Sequence, residues 1–248
     1  MVTRGLKSLI KKTSPGKLGF LKGKRIFRTQ DGRPLRGITR RLGKIYSNGT
    51  FPSSALSSDY RGGFWNGPDG GRRRGNAVDS QVTRLVNTGL NARRNARMLK
   101  LTQLVFQAFE HHSMEPVIAQ RVVTHPLYGI ATAADVICQK DENTIVLVEL
   151  KCGYAGDRLA AAYINGHSCF MNTPCKKAKD TTLHRHLLQL SSTLALFERE
   201  SDTLQKLSSL GITNIEAVLL YVDSNKSELH ELTSYWRKRG NRILNQIR

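Results

Sequence analysis

The segment TIVLVELK, residues 144 to 151, is apolar along most of its length and then carries Glu149 and Lys151 near its end. Taking a carboxylate or an ammonium out of water costs several kcal/mol unless the charge is paired or bound to a metal. Such charges therefore either mark an exposed strand end or have chemistry to do. Upstream, with thirteen residues between it and Glu149, stands Asp135. Two carboxylates that share a site with a lysine suit metal-assisted hydrolysis of a phosphodiester. Mg²⁺ (or Mn²⁺ in its place) held by Asp135 and Glu149 would polarise a phosphoryl oxygen and lower the pKa of a bound water. Lys151 would orient that water or offset charge in the transition state. The setting strengthens this reading, because the chain has a formal charge of +20. A surface that only grips phosphates gains nothing from carboxylates facing them, whereas a metal resolves the conflict.

Such chemistry needs elements to hold the groups together. Side chains alternate faces along a strand, so Glu149 and Lys151 share a face with Ile145 and Leu147, while Val146, Val148 and Leu150 point the other way. A hairpin closing around QKDEN with Cys138 opposite Thr144 puts Asp135 opposite Leu147 and Ala133 opposite Glu149. Asp135 and Glu149 are then diagonal neighbours about 7 Å apart, near enough to grip one hard cation, with the small Ala133 leaving room. Around this hairpin the periodicity predicts helices over AVDSQVTRLVNTGL and MLKLTQLVFQAFEHH, then strands over PVIAQRVVTH, YGIATAADVICQ and NTIVLVELK. TTLHRHLLQLSSTLALFERE follows as a helix capped by Thr181 or Thr182, ITNIEAVLLYVD as a fourth strand and LTSYWRKRGNRILNQI as a closing basic helix. The order α-α-β-β-β-α-β-α makes an α/β sandwich with a mixed sheet of about four strands flanked by helices.

The pattern D-x13-E-L-K, borne on strands and preceded by two helices, resembles the PD-(D/E)xK nuclease superfamily, in the branch of RecB-type nucleases and lambda-type exonuclease. The resemblance covers residues 74 to about 223 and implies a restriction-endonuclease-like core. By this likeness Asp135, Glu149 and Lys151 match the core signature, and Gln189 in LLQLSSTLAL matches a glutamine that orients water or substrate. RRGNAVDSQV is similar to the family's first helix, which makes Asp79 the candidate for supporting a second metal. The implied metal site takes in Asp79, Asp135, Glu149 and Leu150. The chain departs from the family at Ala134, which stands in place of proline, at Asp79 in place of glutamate and at Thr193 in place of tyrosine. The implied activity is that of a metal-dependent deoxyribonuclease, more an exonuclease of recombination, repair or replication than a sequence-specific cutter. Two alternatives stay open: a non-catalytic nucleic-acid-binding or packaging protein on the same fold, and a resolvase-type endonuclease for branched DNA.

The bulk numbers set the partner class. A pI of about 10.3 points to a polyanion, with nucleic acid ahead of an anionic membrane, and the resemblance makes that nucleic acid DNA. No stretch reaches the length of unbroken apolar residues that a membrane span needs. Residues 1–75 are rich in Gly, Ser, Lys and Arg, with Asp31, Asp59 and Asp69 their only acids, and read as a poorly structured basic extension. That extension would bind nucleic acid, or its MVTRGLKSLIKK start would serve as a mitochondrial transit peptide. Residues 76–248 then form the nuclease domain. Arg74, Arg84, Arg93, Arg94 and Arg97 near the first helix, His184, Arg185 and His186 near Gln189, and Arg237, Lys238 and Arg239 in the last helix are candidate contacts to the phosphate backbone. For each, a solvated charge is the plain alternative. Four cysteines do not make a disulfide framework and suit an intracellular, reducing compartment, whether nucleus, cytoplasm or mitochondrion. Cys169 and Cys175 with His184 and His186 lack compact zinc spacing, so neither zinc nor an iron-sulfur cluster is expected. An oligomer is compatible with everything above.

Overall fold

The structure, a computed structural model, describes residues 4–21, 24–52, 70–89, 97–152, 157–223 and 226–246. It is an α/β fold around a central mixed sheet flanked by helices. The sequence elements appear in the expected order: α3 (Gly70–Thr88), α4 (Lys100–His111), β4 (Glu115–His125), β5 (Ile130–Gln139), β6 (Thr144–Cys152), α5 (Thr182–Phe197), β9 (Asn214–Val222) and α7 (Ser234–Gln246). Thr181 is the cap of α5, its side chain accepting the His184 N–H. The long connection from β6 to α5 holds a two-stranded hairpin, β7 (Tyr163–Ile164) and β8 (His167–Ser168). A short helix α6 (Ser201–Ser208) and an edge strand β10 (Ser227–Glu231) complete this half. Alternation along β6 and β9 divides the interior in two. Ile145, Leu147, Leu219 and Tyr221 face α5 and α7, while Val146, Val148, Leu150 and Leu220 face α3 and α4.

The first fifty residues correct the expectation of a loose extension. They form α1 (Arg4–Lys12), β1 (Gly16–Leu21), β2 (Lys24–Thr29), β3 (Pro34–Gly37) and α2 (Ile38–Leu42). Composition hid this, because the few apolar residues are spaced to bury together: Leu6, Ile10, Ile38, Leu42 and Ile45 all join the α5-side core. Arg121 of β4 anchors the segment. Its guanidinium, wholly buried, donates to the carbonyls of Ile10 and Thr13, pairs with Glu200 at 2.6 Å and lies over the Phe197 ring. At the other end of α1, the Lys7 ammonium donates to the Val86 and Asn87 carbonyls at the C-terminus of α3, where the helix dipole favours a cation.

The sheet accordingly has eight strands instead of about four, in the order β1-β2-β3-β5-β6-β9-β10 with β4 also on β5. β3 with β5 and β6 with β9 are parallel, and the other pairs are antiparallel. β4 occupies one edge of β5 from Ile130 to Gln139. The opposite edge is shared, with β3 pairing at Ile130 and Ala131 and β6 pairing only at Val136 to Gln139. Between them the strands fork at Thr132 to Asp135. The expected hairpin register is corrected here, since Cys138 pairs with Val146 and Ile137 with Leu147. The turn is tighter than QKDEN suggests, with the Lys140 N–H closing on the Thr144 carbonyl at 3.0 Å. The shift is two residues, so it moves the partner without turning the side chains to the other face.

Candidate active site

At the fork, β6 leaves β5 after Val148 and continues paired with β9 alone, Glu149 beside Leu219 and Lys151 beside Tyr221. The opened ladder is bridged by a side chain: Asp135 Oδ2 accepts the Leu150 N–H at 2.9 Å. Its other oxygen accepts from Gln120 Nε2 at 3.2 Å, and the same amide donates to Asp79 Oδ1 at 2.8 Å. Gln120 reaches both acids because its backbone stands at φ 57°, in the left-handed region, which interrupts the β4 ladder opposite Asp135. Asp79, on α3, also pairs with Arg25 of β2. On the α5 side, Glu149 is 1% exposed, and its Oε1 accepts from the Lys151 ammonium and from Gln189 Nε2 at 2.6 Å. Thr193, one turn on, donates back to the Gln189 carbonyl at 3.0 Å.

The five residues singled out as Asp79, Asp135, Glu149, Lys151 and Gln189 thus fall into two hydrogen-bonded groups beside β6: Asp79 and Asp135 joined through Gln120, and Lys151 and Gln189 joined on Glu149, with Asp135 bonded to the Leu150 N–H between Glu149 and Lys151. Their electrostatics are those of crowded acids. Burial, and then the neighbouring Asp135 charge, push Glu149 up to about 7 against the partly opposing Lys151. The same two causes raise Asp79 to about 6, against the opposing Arg25 and Lys151. Cys152 is pushed up to about 12 by burial and the two aspartates, so its thiol stays protonated. Carboxylates held at such a cost favour the arrival of positive charge.

Among the described residues, no group of three or more His, Cys, Asp or Glu side chains is placed to hold a metal ion. The donor chemistry nonetheless suits Mg²⁺, which takes hard oxygens, keeps several waters and is held by one or two carboxylates. Asp135 and Glu149 supply that pair at the fork. No disulfide links Cys138, Cys152, Cys169 or Cys175.

The candidate backbone contacts are placed less uniformly. Arg74 is corrected: α3 begins at Gly70, which puts Arg74 one turn before Val78 on the helix's inward stripe, 1% exposed. Arg185 is also corrected, being locked to Asp180 at 2.6 and 2.7 Å and stacked on Tyr46 and Phe51. His186 turns inward, its Nδ1 2.7 Å from the Tyr221 hydroxyl, and desolvation with nearby Lys151 holds its pKa well below the usual value. His184 contacts the Lys179 carbonyl through Nδ1. Arg237 grips Glu198 and the Ile215 carbonyl, and Arg239 lies over Tyr235. Arg84, Arg97 and Lys238 are exposed. Arg93, Arg94 and residues 57–69 of the glycine-rich linker lie outside the described residues.

Sequence reasoning missed two members of the cluster. Gln120 carried a signal, as the one amide inside the apolar run PVIAQRVVTH. Arg25 carried none, because its strand was read as part of a tail. No protein-family model matches the chain, and no curated protein matches it. Among the described residues, no helix is long and apolar enough to cross a membrane.

Proposed function

We propose that the protein is a metal-dependent deoxyribonuclease of the PD-(D/E)xK type, acting as an exonuclease in DNA recombination, repair or replication. The observation that carries this reading is the convergence on Glu149, where a lysine and a glutamine share one carboxylate oxygen while Asp135 stands across the fork. An ion pair serving only stability needs neither the second acid nor the amide. A bound Mg²⁺ supplies the charge that polarises a phosphoryl oxygen and acidifies a water. Asp135 and Glu149 would hold it, with Asp79 behind Asp135 through Gln120. Lys151, which bonds Glu149 in this structure, would offset charge on the phosphoryl group in the transition state. Gln189 orients the attacking water or the substrate from α5.

The test uses purified protein with linear, circular and branched DNA, in Mg²⁺, Mn²⁺ or EDTA, beside Asp135→Ala and Lys151→Ala. Cleavage of linear DNA that needs the metal and both side chains is the expected result. Cleavage that survives both substitutions removes the site assignment, and cutting confined to branched or circular DNA favours the resolvase-type endonuclease. A second reading, a non-catalytic nucleic-acid-binding protein, is favoured by the protein donors already engaging Asp79, Asp135 and Glu149. It predicts binding without cleavage under every metal condition.

A further inference from the structure

A pocket of about 520 Å³ lies between β3 and α2, lined among the described residues by Arg36, Gly37, Arg40, Arg41 and Lys44. Four of these five residues are cationic, and no acid is among them. Asp31, the only acid in residues 4–52, is turned away to Thr29 and Arg33. Arg36, Arg40 and Lys44 bring like charges to one pocket, and an incoming anion offsets them. The pocket is also firmly mounted. Ile38 and Leu42 bury the inner face of α2, Ile45 follows them into the core, and the Arg36 N–H is bonded to the Gly129 carbonyl at 2.8 Å. Arg40 and Lys44, four residues apart, are exposed on the outer side.

Its position relative to the acid cluster gives it a use. Arg36 sits beside Ile130 at the start of β5, and Asp135 is five residues farther along the same strand. At ~3.3 Å per residue the separation along the strand is about 17 Å. α2 packs into the same core as α5, which carries Gln189, so the pocket and Gln189 belong to the same face of the sheet. We infer that the pocket lined by Arg36, Arg40, Arg41 and Lys44 is a second anchoring site for the phosphodiester backbone, a short stretch of strand away from the acid cluster. The spacing rests on the nuclease reading, whereas the binding itself does not.

The experiment is an anisotropy titration of the full chain in EDTA with labelled single-stranded DNA. Arg40→Glu/Lys44→Glu is compared with wild type and with the charge-matched control Lys12→Glu/Lys206→Glu, all of exposed residues. On an oligonucleotide of about 20 nucleotides the pocket variant should bind tenfold or more weakly, and its salt slope should fall by about 1.4, at ~0.7 per lost contact. Equal losses in both variants, or no loss in the first, overturn the pocket and leave the nuclease reading untouched. Intact binding through the pocket without cleavage in Mg²⁺ removes the nuclease reading instead. Phosphatidylserine vesicles form a third arm. Pocket-dependent binding to vesicles with DNA binding unchanged reassigns the site to a membrane and overturns the proposal.

Discussion

The carboxylate of Asp135 accepts the backbone N–H of Leu150 at 2.9 Å, so a side chain of β5 takes over where the ladder with β6 stops. The contact separates geometry from charge. Asp135→Asn keeps an oxygen able to accept from Leu150 but removes the negative charge. The variant should fold, melt no lower than wild type at neutral pH because the charge that raises Glu149 and Asp79 is gone, and lose DNA cleavage by about 10³-fold, the scale for one preorganised electrostatic group. Circular dichroism melts beside a cleavage assay check both halves.

Glu149 gives the pH dependence its sign. Its carboxyl titrates near 4.5 unfolded and at about 7 in the fold, so between these values the native state holds a proton that the unfolded chain has released. Stability is therefore greatest below this window and declines as pH rises through it. Asp79, raised to about 6, adds a smaller decline in the same direction. At ~1.4 kcal/mol per pH unit, the Glu149 shift carries on the order of 3 kcal/mol. In EDTA, Glu149→Gln should melt higher than wild type at pH 8 and nearly the same at pH 4.5, while losing all metal-dependent cleavage.

Lys151 holds the Glu149 proton affinity down, since its ammonium bonds the carboxylate directly. Lys151→Ala should lower kcat/KM by ~10²–10³-fold. It should also move the acid limb of the remaining pH-rate profile upward, because Glu149 must lose its proton to receive a cation. An unshifted limb would place the kinetically important acid elsewhere.

Arg121 tests the attachment of the first fifty residues. Removing one partner of a buried ion pair costs about 3–5 kcal/mol, and here the loss also strands carbonyls of Ile10 and Thr13. Arg121→Ala should lower stability by that amount in chemical denaturation. Limited proteolysis should then open residues 4–52 before the remainder.

A close helix crossing offers a further check. A Cβ on Gly240 of α7 would meet the Ser191 carbonyl oxygen of α5 at 2.2 Å, which no rotamer change relieves. Gly240→Ala should destabilise by about 1–3 kcal/mol or more through overpacking. Cleavage should fall less than stability does, since α5 shifts as a body with Gln189.

Much of the domain after residue 70 was legible because each of its elements repeats a clear period. β6 is an unbroken apolar run buried as far as Leu150, and α5 is long, largely apolar and capped by a threonine. The misjudged hairpin slipped by two residues, an error that conserves the face of each side chain. What could not be read was placement set by distant partners. The backbone of Gln120 is left-handed for reasons that lie in Asp79 and Asp135, not in its neighbours. Arg185 looked like a phosphate ligand until Asp180 and two aromatic rings from residues 46 and 51 enclosed it. The N-terminal strands escaped because five buried apolar side chains were diluted among many cations.

Because β3 and β6 divide one edge of β5 between them, the fork is framed on one side by a strand from the first forty residues. A chain cut by its motif alone to start near residue 76 would lose the strand that frames the fork and the arginine that grips Asp79. The smallest autonomous unit is dictated by the architecture of the opening and is much longer than its signature residues.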